Sequence, residues 1–348
     1  QGVSSAASDV YKRQALVGAY FCREIRLRGG ALKAGALAGL TGAILSLGIG
    51  FVSGGGGISL MNHAVASLLM GVFTGGLVLA VMPLIENAFK VATDATLFEL
   101  TDFNHPLLRK MQVEAPGTYH HSLMVANLSE NAAIAVGANP ILCRACSLFH
   151  DIGKMVQPHY FSENQGEFGN PHNRQNPAMS ALIIKSHVKE GIDMARENGL
   201  PKIIRDVIRQ HHGTTLVKYF FHQAKKKIKQ EKLPYGELTD DEPDESTYRY
   251  DGPKPRFKES AIIFFADSVE AAARSLSKVT QHSVEELLEK IFQDRLEDNQ
   301  LDECPLTLEE VAKIKESFTK TTLNMLHSRI EYPADENESD TNGNQSSS

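Results

Sequence analysis

Histidine and aspartate side chains recur in this sequence at helical positions where apolar residues would be expected. The segment SLFHDIGKM, residues 147–155, is typical of an apolar helix that ends on a His-Asp pair. Other histidines and one aspartate continue apolar stripes at spacings of three or four residues, which places them on inward-facing helix surfaces. The positions with this property are His121, His150, His187, His211 and Asp267, with Asp151 and His212 adjoining them.

These buried polar residues indicate a metal centre. Burying several imidazoles and carboxylates is costly unless they pair with one another or bind a metal ion. A lone histidine on an apolar face is more often a hydrogen-bonded core residue than a ligand, but here several helices each offer such a group. Five imidazoles and two carboxylates exceed the four ligands of a closed zinc site. They suit two divalent transition metal ions with octahedral preferences, such as manganese or iron.

The overall composition narrows the class of protein. The net charge is −6, so the chain lacks the excess of basic residues that is typical of proteins that bind DNA or RNA. Four cysteines in a chain of 348 residues do not make a disulfide framework. Asn-Pro pairs at 139–140 and 176–177 predict helix starts, and no run of alternating apolar residues predicts strands. The predicted fold class is all-α.

Two uncharged apolar runs near the start predict transmembrane helices. Residues 34–53 and 64–83 are each about the ~20 residues that a spanning helix requires. Basic residues at 23–33 precede the first run, the loop between the runs has no Lys or Arg, and Lys90 follows the second. By the positive-inside rule, the hydrophilic remainder lies in the cytoplasm and the chain is a multi-pass protein of the inner (cytoplasmic) membrane.

Composition also predicts the boundaries of the chain's parts. The polar start is unlike the apolar segments after it, so we treat it as a non-native leader, and the polar end predicts a disordered tail. The predicted parts are a leader at 1–14, the C-terminal part of a transmembrane domain at 15–84, a connector helix at 85–110, a soluble helical domain at 111–332 with an inserted loop at 224–258, and a tail at 333–348.

The sequence segments around the proposed ligands resemble those of a known protein family. The segments APGTYHHSLMVANL, LFHDIGKM, RQHHG, YRYDGPKP and ADSVEAAARSL resemble the seven-transmembrane HD family of PgpH-type cyclic di-AMP phosphodiesterases. The resemblance extends from about residue 15 to 330. It implies an HD phosphohydrolase bundle at 111–332, preceded by two or more transmembrane helices. It also implies that the chain is a C-terminal fragment, with an extracellular sensor domain of the same protein missing.

The resemblance assigns roles to the metal ligands. It places His121, His150 and Asp267 on one metal ion. It places His187, His211 and His212 on the other, and Asp151 between the two. A hydroxide that bridges both metals would attack phosphorus, so that cyclic di-AMP opens to linear 5′-pApA.

Other residues are candidate contacts for the substrate. Lys154 comes shortly after the His-Asp pair and could meet a phosphate oxygen or assist the leaving group. Arg274 could reach a phosphate, and the loop residues Tyr248, Tyr250 and Lys254 could stack on or cover a base. The competing interpretations are a solvated lysine at 154 and a plain insertion in the loop.

Three alternative functions remain open from the residues. One is hydrolysis of cyclic di-GMP, although no Gly-Tyr-Pro signature follows the paired histidines. A second is a one-metal nucleotide hydrolase, which would leave three histidines unexplained. The third is a non-catalytic HD ligand sensor or scaffold. The expected partners are a cyclic dinucleotide, the lipid bilayer and, as a further hypothesis, a second copy in a homodimer.

Overall fold

The computed structural model describes residues 12–21, 29–52, 54, 57–166, 169–232, 242–276 and 278–327. Within these ranges the chain is helical, with no strand beyond an isolated bridge between Leu216 and Arg249. The all-α prediction is confirmed. Residues 1–11 of the predicted leader and all of the predicted tail lie outside the described ranges, and residues 12–14 begin a helix.

The helices are numbered in chain order. They are α1 (12–21), α2 (Gly29–Val52), α3 (Gly57–Phe89), α4 (Asp94–Leu100), α5 (Pro106–Glu114), α6 (Pro116–Val136), α7 (Pro140–Phe149), α8 (Pro177–Glu197), α9 (Lys202–Gln210), α10 (Lys218–Lys232), α11 (Glu245–Tyr248), α12 (Lys258–Ala273), α13 (Gln281–Glu297) and α14 (Leu308–His327). Short 3₁₀ turns at Ile152–Val156, Pro158–Tyr160, Ser162–Asn164 and Pro171–Arg174 join α7 to α8.

The helices α2 and α3 form a pair that is long and apolar enough to cross a membrane. Only 17% and 11% of their apolar windows are buried within the structure, which leaves most of both surfaces for lipid. Glycines let the two backbones approach closely. A Cβ atom added at Gly35 would lie 2.4 Å from the carbonyl oxygen of Gly71, and one added at Gly75 would lie 2.8 Å from that of Ala31. Small residues at such a contact are typical of helices packed in a bilayer.

The predicted connector helix over 85–110 is wrong. Helix α3 continues to Phe89, and the chain then turns at Lys90, whose φ is 54°. Glu86 accepts hydrogen bonds from the backbone N–H of Thr93, at 3.0 Å, and from the hydroxyl of Thr96, at 2.7 Å. These bonds start α4 after the turn, and Pro106 then begins α5. The segment therefore contains the end of one helix and two short helices.

The soluble bundle is built around α6, which packs against α7, α12 and α14. Asn139 and Asn176 cap α7 and α8 as predicted, because their side chains accept hydrogen bonds from the backbone N–H groups of Leu142 and Ala178. The predicted inserted loop at 224–258 is partly helical. Helix α10 extends to Lys232 and α11 lies within the segment, while residues 233–241 lie outside the described ranges.

We expect Gly75→Val to weaken the packing of α2 against α3, because the new side chain would meet the backbone of α2. The cost should be about 1–3 kcal/mol, as for other overpacked contacts. Gly76→Val is the matched control, since nothing lies within 4 Å of a Cβ at Gly76. The measurement is the thermal midpoint of the purified chain in detergent micelles. Equal midpoints for the two variants would contradict the close helix contact.

We expect Gly153→Ala to lower the free energy of unfolding. A Cβ atom at Gly153 would lie 1.9 Å from the carbonyl oxygen of His187 and 2.5 Å from the backbone nitrogen of Gly191. Because both atoms belong to the backbone of α8, the helix must shift, at a cost of about 1–3 kcal/mol. Urea denaturation measures the loss. Gly166→Ala, which meets nothing within 4 Å, should unfold at the wild-type urea concentration.

Candidate metal centre

The structure brings all of the predicted ligands to one place in the core of the bundle. His121 projects from the second turn of α6, and His187 and Asp267 project from the middles of α8 and α12. The His150-Asp151 and His211-His212 pairs come directly after the C-terminal ends of α7 and α9. A helix C-terminus carries partial negative charge, so both pairs lie where cations are favoured.

The ligand atoms form two groups that share Asp151. One group is His121, His150, Asp151 and Asp267, and the other is Asp151, His187, His211 and His212. Within each group, one ligand atom per residue lies within 4.8 Å of all the others, which is close enough to hold a metal ion. Imidazole nitrogens combined with carboxylate oxygens suit divalent transition metals.

The two oxygen atoms of Asp151 face different groups. Oδ2 lies 3.3 Å from Nε2 of His150 and 3.4 Å from Nε2 of His121. Oδ1 lies 3.4 Å from Nε2 of His187 and 3.5 Å from Nε2 of His211. The carboxylate thus faces each of the two groups with one oxygen atom.

Asp267 also lies between the two groups. Its Oδ1 atom is 3.0 Å from Nε2 of His121, and its Oδ2 atom is 3.4 Å from Nδ1 of His212. The ring nitrogens that face away from the centre are held by the protein. Nδ1 of His150 donates to the carbonyl oxygen of Ser147 at 2.7 Å, which leaves its Nε2 free to face the centre.

The centre is deeply buried and contains atoms without partners. His150 and His211 are fully buried, and Asp151 is 1% exposed. Among the described residues, Nε2 of His150 and Oδ1 of Asp151 have no hydrogen-bond partner. Leaving such atoms unpaired costs about 1–3 kcal/mol each. Divalent cations would satisfy these atoms, so the donor set fits metal ions.

Burial and neighbouring charges place the ligands in the forms that metals require. Burial lowers the pKa of His187 to about 3 and also lowers the pKa of His212, so both rings are neutral at pH 7. Burial alone would favour a neutral Asp151, but His150 and Lys154 lower the pKa of its carboxyl and keep it ionised. Burial likewise opposes charge on His150, yet Asp151 raises its pKa to about 10, so a metal ion would displace that proton.

Lys154 lies beside the shared carboxylate. Its ammonium is 2.7 Å from Oδ2 of Asp151 and 2.8 Å from Oε1 of Glu163, and it lies 5.0 Å from the centre of the Phe161 ring. Although burial disfavours the ammonium, Asp151 and Glu163 raise its pKa, so Lys154 stays protonated. It therefore provides a fixed positive charge at the centre.

The remaining predicted contacts lie in different places. Tyr250 stacks on His212, with 4.3 Å between ring centres, and belongs to the site. Tyr248 is instead buried against Phe221 in a small separate cluster, so the structure does not bring it to the centre. Lys254 is 3.4 Å from Asp302. It pairs with that residue and not with any ligand.

The partner of Arg274 in the structure is Glu270, which is not one of the predicted ligands, and its predicted contact with a phosphate stays a prediction. Its Nη2 atom is 3.1 Å from Oε2 of Glu270, and Glu270 in turn hydrogen-bonds Nδ1 of His121. Glu270 was not among the predicted site residues. Its position three residues after Asp267 on α12 is a signal that could have indicated a shared face. Glu163, also absent from the prediction, comes from a 3₁₀ turn, where no helical spacing applies.

The centre opens through His212, whose side chain is 20% exposed while those of the other ligands are at most 9% exposed. His212 and Tyr250 line a cleft of about 320 Å³. The cations that line the same cleft are Lys185, Lys189, Arg196 and Arg209. Asp251 and Asp193 also line the cleft and pair with Lys185 and Arg196, at 3.3 and 3.2 Å. The lining remains net positive, which favours the approach of a phosphorylated ligand.

Comparisons with known proteins agree with this geometry. The HD domain family model matches residues 118–272, and the family model described as a 7TM receptor with intracellular HD hydrolase matches residues 13–93. Together with α2 and α3, the second match identifies a membrane-anchored chain.

Two curated relatives match a larger share of the chain than either family model. The cyclic-di-AMP phosphodiesterase PgpH of Bacillus subtilis is 46% identical over 270 residues, which are 76% of this chain and 36% of that protein. PgpH of Listeria monocytogenes is 46% identical over 255 residues, which are 73% of this chain and 34% of that protein. The chain thus spans about a third of the length of the curated relatives it matches.

A solved structure covers the bundle. The crystal structure of the HD domain of L. monocytogenes PgpH in complex with cyclic-di-AMP superposes with a TM-score of 0.59 and 46% identity. The match covers 66% of this chain and 100% of that one. The chain therefore belongs to the family of seven-transmembrane proteins that carry an intracellular HD hydrolase domain.

Proposed function

We propose that this chain is the catalytic part of a membrane-anchored phosphodiesterase that hydrolyses cyclic di-AMP to linear 5′-pApA with two divalent metal ions, manganese or iron. The observation that carries the proposal is the pair of ligand groups that share the buried Asp151. The adenine preference is supported by the 46% identity to the HD domain solved with cyclic-di-AMP.

The residues of the chain supply positions and charges for this reaction. Two bound metal ions would lower the pKa of a shared water molecule and neutralise the phosphate. Asp151, with one oxygen toward each ligand group, would hold the two ions at a fixed spacing. Hydrolysis breaks the bond between phosphorus and the ribose 3′ oxygen, and it leaves a 5′-phosphate and a 3′-hydroxyl group.

Lys154 has the charge and location of a phosphate contact. Its ammonium lies between Asp151 and Glu163 beside the ligand groups, so the role that we propose is electrostatic stabilisation of the phosphorane charge. Glu163 fixes the ammonium from the opposite side. Metal ions that bind Asp151 would weaken the pair between Asp151 and Lys154 and leave the ammonium available to the substrate.

The cleft beside His212 is suited to the rest of a cyclic dinucleotide. Its net positive lining is compatible with phosphate groups, and Tyr250 offers a ring near the reacting centre. The basic residues before α2 and the absence of Lys and Arg from 34 to 89 support a multi-pass topology with the HD domain in the cytoplasm.

We expect the purified chain to retain about two manganese or iron ions, and ligand variants to lose them selectively. His121→Ala should lose one ion and His187→Ala the other, whereas Asp151→Ala should lose both, because it touches both groups. His120→Ala is the matched control, since this exposed histidine lies beside His121 but outside the centre. Elemental analysis measures the content. A single ion in the wild-type chain would favour the one-metal hydrolase.

The test of function is turnover by the full chain in detergent, loaded with manganese and offered cyclic di-AMP and cyclic di-GMP separately. We expect linear 5′-pApA from cyclic di-AMP, at a rate that Asp151→Ala lowers by at least about 100-fold. His120→Ala should retain the wild-type rate. Faster hydrolysis of cyclic di-GMP would overturn the substrate assignment. Bound metal without hydrolysis of either nucleotide would favour the sensor or scaffold.

A further inference from the structure

His121 differs from three other buried histidines of the centre in the partner of its outer ring nitrogen. Nδ1 of His150, His187 and His211 donates to a backbone carbonyl oxygen three residues earlier, at 2.6 to 2.8 Å. Nδ1 of His121 instead hydrogen-bonds the carboxylate of Glu270. The outer ring nitrogen of His121 therefore contacts a charged carboxylate, whereas those of the other three histidines contact neutral carbonyl groups.

Glu270 is itself held in place. It is 6% exposed on α12, one helical turn after Asp267. Its Oε2 atom contacts both His121 and the Nη2 atom of Arg274, the latter at 3.1 Å. The Arg274 side chain is 32% exposed, so it reaches the carboxylate from the surface of the bundle. The arginine offsets the buried charge and limits the rotamers open to Glu270.

A carboxylate in this position changes the ligand that it contacts. By accepting the Nδ1 proton, Glu270 fixes the tautomer in which Nε2 carries the lone pair. That Nε2 atom faces the centre, 3.0 Å from Asp267 and 3.4 Å from Asp151. A carboxylate also increases the electron density of the ring, and the ligand becomes more basic than one backed by a carbonyl group.

The ligand groups also differ in charge. The His121 group contains Asp267 as well as the shared Asp151, with Glu270 behind it. The His187 group contains the shared Asp151 and three histidines. Lys154 beside Oδ2 of Asp151 and Arg274 beside Glu270 offset part of this negative charge. The additional carboxylate ligand, Asp267, still attracts a dication more strongly to the His121 group.

We propose that Glu270, fixed by Arg274, is a positioning residue that makes the His121 group the tighter of two metal sites. This inference rests on the proposed binuclear centre. It also gives Arg274 a role at the metal site through Glu270.

The test titrates the metal-loaded full chain, in detergent, with a chelator. With cobalt as the probe, absorption spectra follow ligand geometry while elemental analysis counts the ions. The wild-type chain should release its ions in two steps, the His187 group first. In Glu270→Gln the second step should move to about 10–100-fold lower chelator concentration, the usual effect of losing an outer partner of a metal ligand. The first step should stay where it was.

Glu259→Gln is the matched control. It makes the same change on the same helix, where the Glu259 carboxylate accepts a hydrogen bond from the backbone of Asn139 at 2.9 Å, away from the centre. It should release both ions as the wild-type chain does. Circular dichroism of the metal-free variants checks that each is folded. If Glu270→Gln does not fold, Arg274→Gln replaces it, and its second step should move in the same direction.

The outcomes separate the inference from the proposed function. A folded Glu270→Gln, or Arg274→Gln in its place, that releases both ions at the wild-type chelator concentration would overturn the inference and leave the binuclear centre standing. If the second ion were also released at a lower chelator concentration in Glu259→Gln, the inference would be overturned as well. The shift would then not depend on the hydrogen bond between Glu270 and His121. A wild-type chain that binds no cobalt would overturn the proposed centre itself.

Discussion

The Asp151 carboxylate lies almost fully buried among imidazole rings. The helices around it place the groups that keep this carboxylate ionised. An isolated carboxylate could not remain ionised at such a depth without compensation. Here the pKa of Asp151 is lowered by His150 and by Lys154, whose ammonium is 2.7 Å away. Oδ2 forms the ion pair with Lys154, and neither oxygen has a further hydrogen-bond partner among the described residues. A carboxylate that is ionised but lacks hydrogen-bond partners can still bind further cations. A metal ligand must have this property.

Backbone geometry brings this carboxylate to the centre. Helix α7 ends at Phe149, and the next 3₁₀ turn passes so close to α8 that only glycine fits at Gly153. The contact places Asp151 opposite His187. The two dipeptides His150-Asp151 and His211-His212 both come directly after helix C-termini, so the negative ends of two helix dipoles point at one site. Packing, dipoles and side-chain charges thus favour positive charge at the same point.

The parts of this site that could be predicted are those that depend on helical periodicity. His121, His187 and Asp267 lie on apolar stripes, and a stripe at spacings of three and four has to face the core. Local caps were equally predictable, because Asn139 and Asn176 act on their own helices. The contacts of Glu163, Tyr248 and Arg274 were not. Each depends on which distant element lies beside it, and no local spacing carries that information.

The failed prediction of a single connector helix has the same physical origin. The apolar pattern after α3 is compatible with a continuing helix, but the Glu86 side chain turns back to bond Thr93 and Thr96. The result is a compact link. Asp94, at the start of α4, accepts a hydrogen bond from the Asn139 side chain at 3.1 Å.

That contact joins the membrane pair to the helices that carry the metal ligands. Besides contacting Asp94, Asn139 caps α7, which ends on His150, and its backbone N–H donates to Glu259 near the start of α12, the helix of Asp267. One asparagine thus connects α4 to two ligand-bearing helices. Helix α4 also packs against α7. These hydrogen bonds connect the membrane pair to the N-terminal ends of α7 and α12, eight or more residues before His150 and Asp267.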